Sequence, residues 1–192
     1  MRVNEIFYSI QGEGYHAGTP AVFVRLSGCN LRCPFCDTEH QEHTEMSEDE
    51  IAEAVSKYPA SLVVITGGEP TIQPLYWLID AIHRIGKKVA IETNGTQPVE
   101  RNADWITVSP KDGFVGESAK PVLTYADEIK LVFDGGHIPD DHGIHANHFY
   151  LQPCDTGYEL KNQEIMQELV EFVKQNPKWK ISLQTQKILK VR

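Results

Sequence analysis

The sequence predicts an α/β fold in which a mostly parallel sheet is covered by helices. Short runs rich in Val, Ile, Leu and Phe recur between segments of helical periodicity, an alternation typical of parallel sheets. Most of these runs lack alternating polar and apolar residues, which suits strands that are buried on both faces. The 192 residues contain no internal repeat and no long linker, so one domain over residues 1–192 is expected.

Three helices and seven strands follow from these patterns. Ser47 and Glu50 form a capping box before apolar residues at helical spacing, which predicts a helix over residues 47–58 that Pro59 ends. Similar apolar spacing predicts helices over residues 75–85 and 163–175. The predicted strands are residues 21–26, 62–65, 88–91, 105–108, 128–133, 149–151 and 180–183.

Composition narrows the class of protein. Lysine and arginine number 18 and aspartate and glutamate 27, which leaves a net charge of −9 and argues against nucleic-acid binding, since phosphate binders need a basic surface. A mean hydropathy of −0.35 and the lack of a long apolar run predict no membrane span. The first ten residues lack the charged and then apolar pattern of a signal peptide, so a cytoplasmic location is expected.

Charge is distributed unevenly along the chain. Residues 37–53 contain eight acidic residues and no Lys or Arg, whereas residues 172–192 contain six basic residues and no acidic one. A solvated face is the first interpretation of each stretch. The basic stretch also suits docking of an acidic partner.

Three of the four cysteines lie within eight residues, directly after the predicted strand 21–26. Cys29, Cys33 and Cys36 have the spacing C-x3-C-x2-C, which lets one loop place its thiolates around a small centre. Soft thiolate ligands suit zinc or an iron–sulfur cluster, and three of them would leave one iron of a four-iron cluster without a protein ligand. A zinc site built from Cys33, Cys36 and His40 or His43 is the alternative.

Polar motifs also follow the next three predicted strands: TGGEP at 66–70, ETNG at 92–95 and SPK at 109–111. Each alone could be an ordinary turn, but ligands in parallel α/β folds collect where strands end. Together with the cysteines, the GGEP motif resembles the radical S-adenosylmethionine (SAM) superfamily. That resemblance implies a partial TIM-like barrel of mostly parallel strands with helices outside. It also implies a [4Fe-4S] cluster on Cys29, Cys33 and Cys36 whose open iron binds SAM.

Further motifs are similar to those of the 7-carboxy-7-deazaguanine synthase family. They are EIFYSIQGEG at 5–14, RLSGCNL at 25–31, CDT at 36–38, SPK at 109–111 and LQP at 151–153. The resemblance implies a radical SAM carbon–nitrogen lyase of queuosine and 7-deazapurine biosynthesis. Such an enzyme converts 6-carboxy-5,6,7,8-tetrahydropterin to 7-carboxy-7-deazaguanine and ammonia. A 5′-deoxyadenosyl radical made from SAM removes hydrogen from C6, and SAM is regenerated.

The same resemblance assigns roles to single residues. Thr38 would help to bind Mg2+, and Cys154 would be a small residue near SAM without binding the cluster. Substrate binding would involve Ile10, Gln11, Gly12, Glu13, Arg25, Thr93, Gln186 and the terminal carboxylate of Arg192. The cofactor side would comprise Phe35, Asp37, Gly67, Gly68, Glu69, Gly95, Ser109, Pro110, Lys111, Gln152, Pro153, Cys154 and Asp155. Gln186 stands where related enzymes often have His, and it cannot titrate near neutral pH.

The resemblance also implies partners. A flavodoxin or ferredoxin would supply the electron, the chain would form a homodimer, and neither nucleic acid nor a membrane would be bound. Two other functions stay open on the residues alone: an activase that makes a glycyl radical on a partner protein, and a zinc-stabilised binding module. The activase does not account for the QGEG motif, and metal analysis would identify the zinc module.

Overall fold

A computed structural model describes residues 1–36 and 38–191, so Asp37 and Arg192, both expected at the site, lie outside the described residues. The strands are β1 (Arg2–Ile10), β2 (Pro20–Leu26), β3 (Thr44–Glu45), β4 (Leu62–Gly67), β5 (Lys88–Thr93), β6 (Trp105–Val108), β7 (Glu128–Phe133), β8 (His148–Pro153) and β9 (Lys180–Ile181). The helices are α1 (Glu48–Ser56), α2 (Tyr76–Arg84), α3 (Asp112–Val115), α4 (Glu159–Gln175) and α5 (Thr185–Leu189), and 3-10 turns cover Pro70–Ile72 and Glu117–Ala119.

In the described chain the strands form one sheet in the order β3-β1-β2-β4-β5-β6-β7-β8-β9. Every neighbouring pair from β2 to β9 is parallel, whereas β1 is antiparallel to both β2 and β3. The predicted α/β fold with a mostly parallel sheet is confirmed. The sheet is open, since β3 and β9 are its edges, so the architecture is a partial barrel.

Both faces of the sheet are buried, which explains the apolar runs without alternation. On β4, Val63 and Ile65 pack toward α1 and α2 with Ile51, Leu78 and other helix residues. Their neighbours Leu62 and Val64 belong to a separate inner cluster that also contains Ala21 and Ala90. A further core joins β7 and β8 to α4. Helices therefore cover the outer face, and the inner face encloses a second set of side chains.

The helices agree closely with the sequence patterns. Both bonds of the predicted capping box are present, because Ser47 accepts from the backbone of Glu50 and Glu50 accepts from the backbone of Ser47. α2 is one residue shorter than predicted at each end. α4 begins at Glu159, four residues early, because its first turn is exposed and carries no apolar periodicity. None of the described helices is both long and apolar enough to cross a membrane.

Several elements differ from the sequence-based prediction. β1 was not predicted as a strand, yet it pairs with β2 along its length and stacks Phe7 on Phe23 with ring centroids 4.9 Å apart. The short helices α3 and α5 were not predicted either. β9 ends at Ile181, two residues before the predicted end. The Ser182 backbone N–H still donates to Leu151 O, and the Ser182 hydroxyl donates to Gln152 and accepts from the backbone of Gly14.

The loop between β1 and β2 crosses the open side of the barrel. The backbone carbonyl of Gly12 accepts hydrogen bonds from the backbone N–H and the hydroxyl of Thr185, at 3.0 and 2.8 Å. The backbone N–H of Gly14 donates to the Ser182 hydroxyl at 2.9 Å. This loop thereby links the β1 side of the sheet to the segment after β9, and it forms the floor of the site described next.

Candidate active site

A cavity of about 680 Å³ lies inside the partial barrel, at the carboxyl ends of the parallel strands. All four loops singled out in the sequence contribute to it, because each follows a parallel strand at the same edge of the sheet. The expected site residues that line it are Ile10, Gln11, Gly12, Glu13, Arg25, Cys29, Cys33, Phe35, Cys36, Thr38, Gly67, Gly68, Glu69, Thr93, Ser109, Lys111, Gln152, Pro153, Cys154, Asp155 and Gln186.

Two expected residues do not line this cavity. Gly95 has a φ of +79° and faces away from it, since a Cβ there would meet the side chains of Val108 and Pro121. Pro110 is buried beside the cavity between Ser109 and Lys111. Both residues shape the strand-end loops without facing the cavity.

The three clustered cysteines fit an iron–sulfur cluster by their chemistry and placement. All three are free thiols, and all three line the cavity. Burial raises the pKa of the Cys29 and Cys33 thiols. Thiols that resist ionisation alone are stabilised as thiolates by a cationic metal centre.

The residues considered for a zinc site are not brought together in the part of the chain that the structure describes. In the described part of the chain, no three His, Cys, Asp or Glu side chains form a group that could hold one metal ion. This applies to Cys33, Cys36, His40 and His43. It does not argue against an iron–sulfur cluster, because the thiolates of a four-iron cluster bind different irons and need not converge on one point.

The GGEP segment packs directly against the cysteine loop. Backbone N–H groups of Gly68 and Glu69 donate to Leu26 O at 3.2 Å and to Gly28 O at 2.9 Å. A Cβ on Gly68 would overlap Gly28 O and lie 2.8 Å from Cys29 Cβ. Glycine is therefore required at this position because the backbone of β4 approaches the cysteine loop too closely for a side chain.

Replacing Gly68 with alanine should therefore displace the cysteine loop. We expect Gly68→Ala to bind less iron after reconstitution and to unfold at lower denaturant concentration, by about 1–3 kcal/mol, as overpacking usually costs. Gly113→Ala is the matched control, since the nearest atom to a Cβ there is 3.7 Å away. Iron content and urea unfolding measure both effects, and wild-type iron content in Gly68→Ala would contradict the expectation.

Glu69 is 1% exposed and holds two strand-end loops together. One carboxylate oxygen accepts from the Thr71 hydroxyl at 2.6 Å and from the Thr93 hydroxyl at 2.7 Å, and the other accepts from the Asn94 backbone at 2.6 Å. The carboxylate thereby fixes the loop after β5 against the loop after β4. Thr93, expected as a substrate contact, lines the cavity while donating to Glu69.

The floor of the cavity carries an ion-pair network. Lys130, whose side chain is 8% exposed, donates to Glu13 Oε2 at 2.8 Å and to Glu92 Oε2 at 2.9 Å. Gln184 and Gln186 each donate to Glu13 Oε1 at 3.1 Å. Although burial raises it, the Lys130 charge and these hydrogen bonds lower the pKa of Glu13 to about 2. Glu13 is therefore a carboxylate at neutral pH.

Sequence reasoning missed three members of this network: Glu92, Lys130 and Gln184. Glu92 belonged to a noted motif but received no role. A signal for Lys130 was available, since Glu128 and Lys130 are charged residues at alternate positions of an otherwise apolar strand predicted to be buried. Buried charges are costly unless paired, so they indicate a polar site on the inner face of the sheet.

The expected substrate side includes Arg25. Its Nε donates to Glu5 Oε1 at 2.8 Å, and its guanidinium lies 5.8 Å from the centroid of the Phe7 ring. Arg25 lies on an interior strand of the sheet, because β2 is between β1 and β4. Gln11 is buried, and its amide donates to Glu92 Oε1 at 3.4 Å.

The expected cofactor side carries further polar groups. Lys111 donates to Ser109 O at 2.7 Å and to the Ser109 hydroxyl, and burial lowers the pKa of Lys111 to about 8. Asp155 pairs with Lys187 at 2.7 Å, and this hydrogen bond lowers the pKa of Asp155 to about 2. The Phe35 ring contacts Phe114 edge to face at 4.7 Å. Cys154 is buried and packs in the core beneath α4.

Comparisons with known proteins identify the family. The radical SAM superfamily model matches residues 23–111. The 7-carboxy-7-deazaguanine synthase of Bacteroides thetaiotaomicron is 50% identical over 191 residues, which cover 100% of this chain and 98% of that protein. The chain belongs to the 7-carboxy-7-deazaguanine synthase family.

Other members of the 7-carboxy-7-deazaguanine synthase family agree over nearly the whole chain. The enzyme of Haemophilus influenzae is 36% identical over 98% of this chain and 93% of its own length. The crystal structure of QueE from Escherichia coli superposes with a TM-score of 0.71 and 28% identity, covering 95% of this chain and 92% of that one. The family resemblance is confirmed, and radical SAM membership implies a [4Fe-4S] cluster and SAM as cofactors.

Proposed function

We propose that the protein converts 6-carboxy-5,6,7,8-tetrahydropterin to 7-carboxy-7-deazaguanine with loss of ammonia. It would act as a carbon–nitrogen lyase in queuosine and 7-deazapurine biosynthesis, in the cytoplasm. The observation that carries this proposal is the shared cavity, in which the cysteine loop and the Glu13 floor face the same space. The names of the relatives support the product, 7-carboxy-7-deazaguanine.

Cys29, Cys33 and Cys36 would hold the [4Fe-4S] cluster, and the loops after β4, β6 and β8 would hold SAM. When bound, the cluster and SAM supply the organic radical that starts the reaction. The protein's own contribution is to enclose the reaction inside the barrel and to orient the two ligands toward one another. Gly68 supports that arrangement by keeping the backbone of β4 against the cysteine loop.

Arg25 and two residues of the cavity floor, Glu13 and Gln11, would recognise the substrate. Glu13 remains ionised and can accept N–H donors from an aminopyrimidinone edge, and Gln11 beside it can both donate and accept. Arg25 uses its Nε for Glu5, so its terminal N–H groups could bind the substrate carboxylate in a bidentate fashion. Related enzymes often have a titratable His at the position of Gln186. Here the Gln186 amide would instead hold Glu13 in place by a hydrogen bond.

The direct test is anaerobic turnover. Reconstituted protein with reductant, SAM, Mg2+ and the carboxytetrahydropterin should release ammonia and 7-carboxy-7-deazaguanine, detected by liquid chromatography and mass spectrometry. The absence of product under these conditions would overturn the proposal. A glycyl radical on a partner protein, observed by electron paramagnetic resonance in place of a modified pterin, would favour the activase function.

Mg2+ would bind beside the cysteine loop with the help of the Thr38 hydroxyl and the substrate carboxylate. Thr38 lines the cavity, and Mg2+ keeps few protein ligands and accepts substrate oxygens readily. We expect Mg2+ removal, or Thr38→Val, to slow product formation at least about tenfold, the lower end of what a lost outer contact of a metal site costs. Unchanged iron content is the control, and Mg2+-independent turnover would contradict the role of Thr38.

A flavodoxin or ferredoxin would dock on the basic stretch of residues 172–192. Lys178 is a poor probe of that docking, because it pairs with Asp141 and packs over the Phe149 ring at 4.1 Å. Lys180 and Lys190 are exposed. Lys180→Glu with Lys190→Glu should slow flavodoxin-driven turnover at least about tenfold while sparing dithionite-driven turnover, as expected for charge-guided association. Equal effects on both would place the docking surface elsewhere.

We also propose that the chain forms a homodimer. Analytical ultracentrifugation, which measures the mass of the particle in solution, tests this.

A further inference from the structure

Three side chains form a closed ring of hydrogen bonds between the cysteine loop and the loop after β5. The Asn30 amide donates to the Thr96 hydroxyl at 2.7 Å, the Thr96 hydroxyl donates to Asn94 Oδ1 at 2.7 Å, and the Asn94 amide donates to Asn30 Oδ1 at 3.0 Å. Each side chain gives one bond to the ring and accepts one from it, so the bonds strengthen one another. Asn94 and Thr96 are buried. The ring ties the residue after Cys29 to the loop after β5.

Asn94 anchors this ring to the rest of the site. Its backbone N–H donates to Glu69 Oε2 at 2.6 Å, and its Oδ1 also accepts from the backbone N–H of Thr96 at 2.9 Å. On the other side of Cys29, the backbone carbonyl of Gly28 accepts from the backbone N–H of Glu69 at 2.9 Å. The residues on both sides of Cys29 are therefore held, one by the GGEP segment and the other by the ring.

The backbone that the ring holds donates to the sulfur of Cys29. Leu31 N lies 3.4 Å from Cys29 Sγ and donates to it. Burial raises the pKa of the Cys29 thiol, whereas hydrogen bonds from the backbone N–H groups of Leu31 and Asn30 lower it. Donors of this kind stabilise negative charge on the sulfur. Because Asn30 carries one of these N–H groups and precedes the other, the position of its side chain sets the direction in which both point.

Cys33 has different surroundings. Burial raises the pKa of its thiol and the Lys111 charge lowers it, but no hydrogen bond to its sulfur comes from the described residues. The Cys36 thiol is itself a donor, to the backbone carbonyl of Thr38 at 3.8 Å. Within the described residues, backbone N–H donors therefore distinguish Cys29 from Cys33. Hydrogen bonds to the sulfurs are one of the factors that set the reduction potential of an iron–sulfur cluster.

We propose that Asn30, Asn94 and Thr96 are positioning residues that keep two backbone N–H groups aimed at the Cys29 sulfur and thereby raise the reduction potential of the cluster. This inference rests on the proposed binding of the cluster by Cys29. On reduction the cluster gains one electron from the reductant, and its sulfur ligands become more negative. N–H donors stabilise that added charge, so they favour the reduced form.

The test removes one member of the ring with little change of shape. Thr96→Val replaces the hydroxyl with a methyl group, so the Asn30 amide loses its acceptor and Asn94 Oδ1 loses a donor. Thr96→Ser keeps the hydroxyl and should restore the behaviour of the wild type. Thr124→Val is the matched control, because Thr124 is exposed ahead of β7 and the substitution is the same.

Two measurements separate the two steps of the proposal. In cluster-free protein, the rate of trypsin cleavage after Arg32, an exposed residue of the cysteine loop, reports how firmly the loop is held. In reconstituted protein, electron paramagnetic resonance follows the reduced cluster through a redox titration. Thr96→Val should speed cleavage at least about tenfold and lower the ratio of reduced to oxidised cluster at a fixed potential about tenfold, which is about 59 mV for one electron. Thr96→Ser and Thr124→Val should stay within about threefold of the wild type in both measurements.

Three results for Thr96→Val would overturn the inference. The first is cleavage and a potential like those of the wild type. The second is faster cleavage with an unchanged potential, because the ring would then hold the loop without tuning the cluster. The third is a Thr96→Val protein that takes up no iron while Thr96→Ser does, because the ring would then be required for the cluster to bind at all.

The wild type separates this inference from the proposed function. A wild type that binds no iron overturns both. A wild type whose cluster has a measurable potential but which forms no 7-carboxy-7-deazaguanine overturns the proposed function alone, and the comparison of the Thr96 variants still applies.

Discussion

Cys33→Ser should abolish turnover and prevent the reconstituted protein from acquiring its brown colour. Serine replaces a soft thiolate with a hydroxyl that binds iron poorly, and the three cysteines line one cavity. We expect product formation to fall more than about 100-fold, since even the outer contacts of a metal site account for 10–100-fold. Iron and sulfide analysis measures the cluster content, and a turnover assay measures product formation.

Cys154→Ser is the matched control for the cysteine experiment. Cys154 also lines the cavity, but it is buried in the core beneath α4. The variant should keep its iron and sulfide content, with a modest loss of stability from placing a hydroxyl in an apolar position. Loss of the cluster in Cys154→Ser but not in Cys33→Ser would contradict the assignment of the ligands.

Lys130→Met should destabilise the fold by about 3–5 kcal/mol at neutral pH, because removing one partner of a buried ion pair leaves the other charges uncompensated. Without Lys130, burial would raise the pKa of Glu13 above its value in the unfolded chain, and the pKa of Glu92, which is already raised in the wild type, would rise further. Groups whose pKa is raised by folding favour the folded state at low pH and lose that contribution as pH rises. The difference between variant and wild type should therefore be larger at pH 8 than at pH 5.

Urea unfolding at the two pH values tests this expectation. Lys57→Met is the control, since Lys57 is exposed at the end of α1 and should change stability by less than about 0.5 kcal/mol. In the wild type, the lowered pKa of Glu13 stabilises the fold above its ordinary value of 4.5, and this contribution is lost as pH falls toward about 2. Equal stability of Lys130→Met and wild type at pH 8 would show that the network is not structural.

Local patterns predicted the parallel part of the fold well, and they failed where pairing is long-range. The capping box of Ser47 and Glu50 depends on neighbours in the chain, so it could be identified directly. β1 contains Asn4, Glu5 and Ser9 among its apolar residues, which hid the strand character that its pairing with β2 establishes. Strand propensity depends on such context more than helix propensity does.

The same contrast applies to the candidate site: its local motif could be predicted from the sequence, and its long-range contacts could not. Cys29, Cys33 and Cys36 are close in sequence, and their spacing by itself indicates a shared centre. Lys130 and Glu13 are 117 positions apart, and no local pattern relates them. Only the parallel order of β5, β6 and β7, together with the loop that crosses the open side, brings their charges together.

The hydrogen bond between Thr185 and Gly12 limits the order in which parts of the molecule can form during synthesis. Its partners are separated by 173 positions, so the floor cannot close until the segment after β9 has been synthesised. The earlier strands and the cysteine loop can form beforehand, because each pairs with a neighbour close in the chain. A nascent chain would thus hold its thiols in an open barrel while the floor of the cavity is still missing. The cysteine loop can therefore take its position before the cavity is closed.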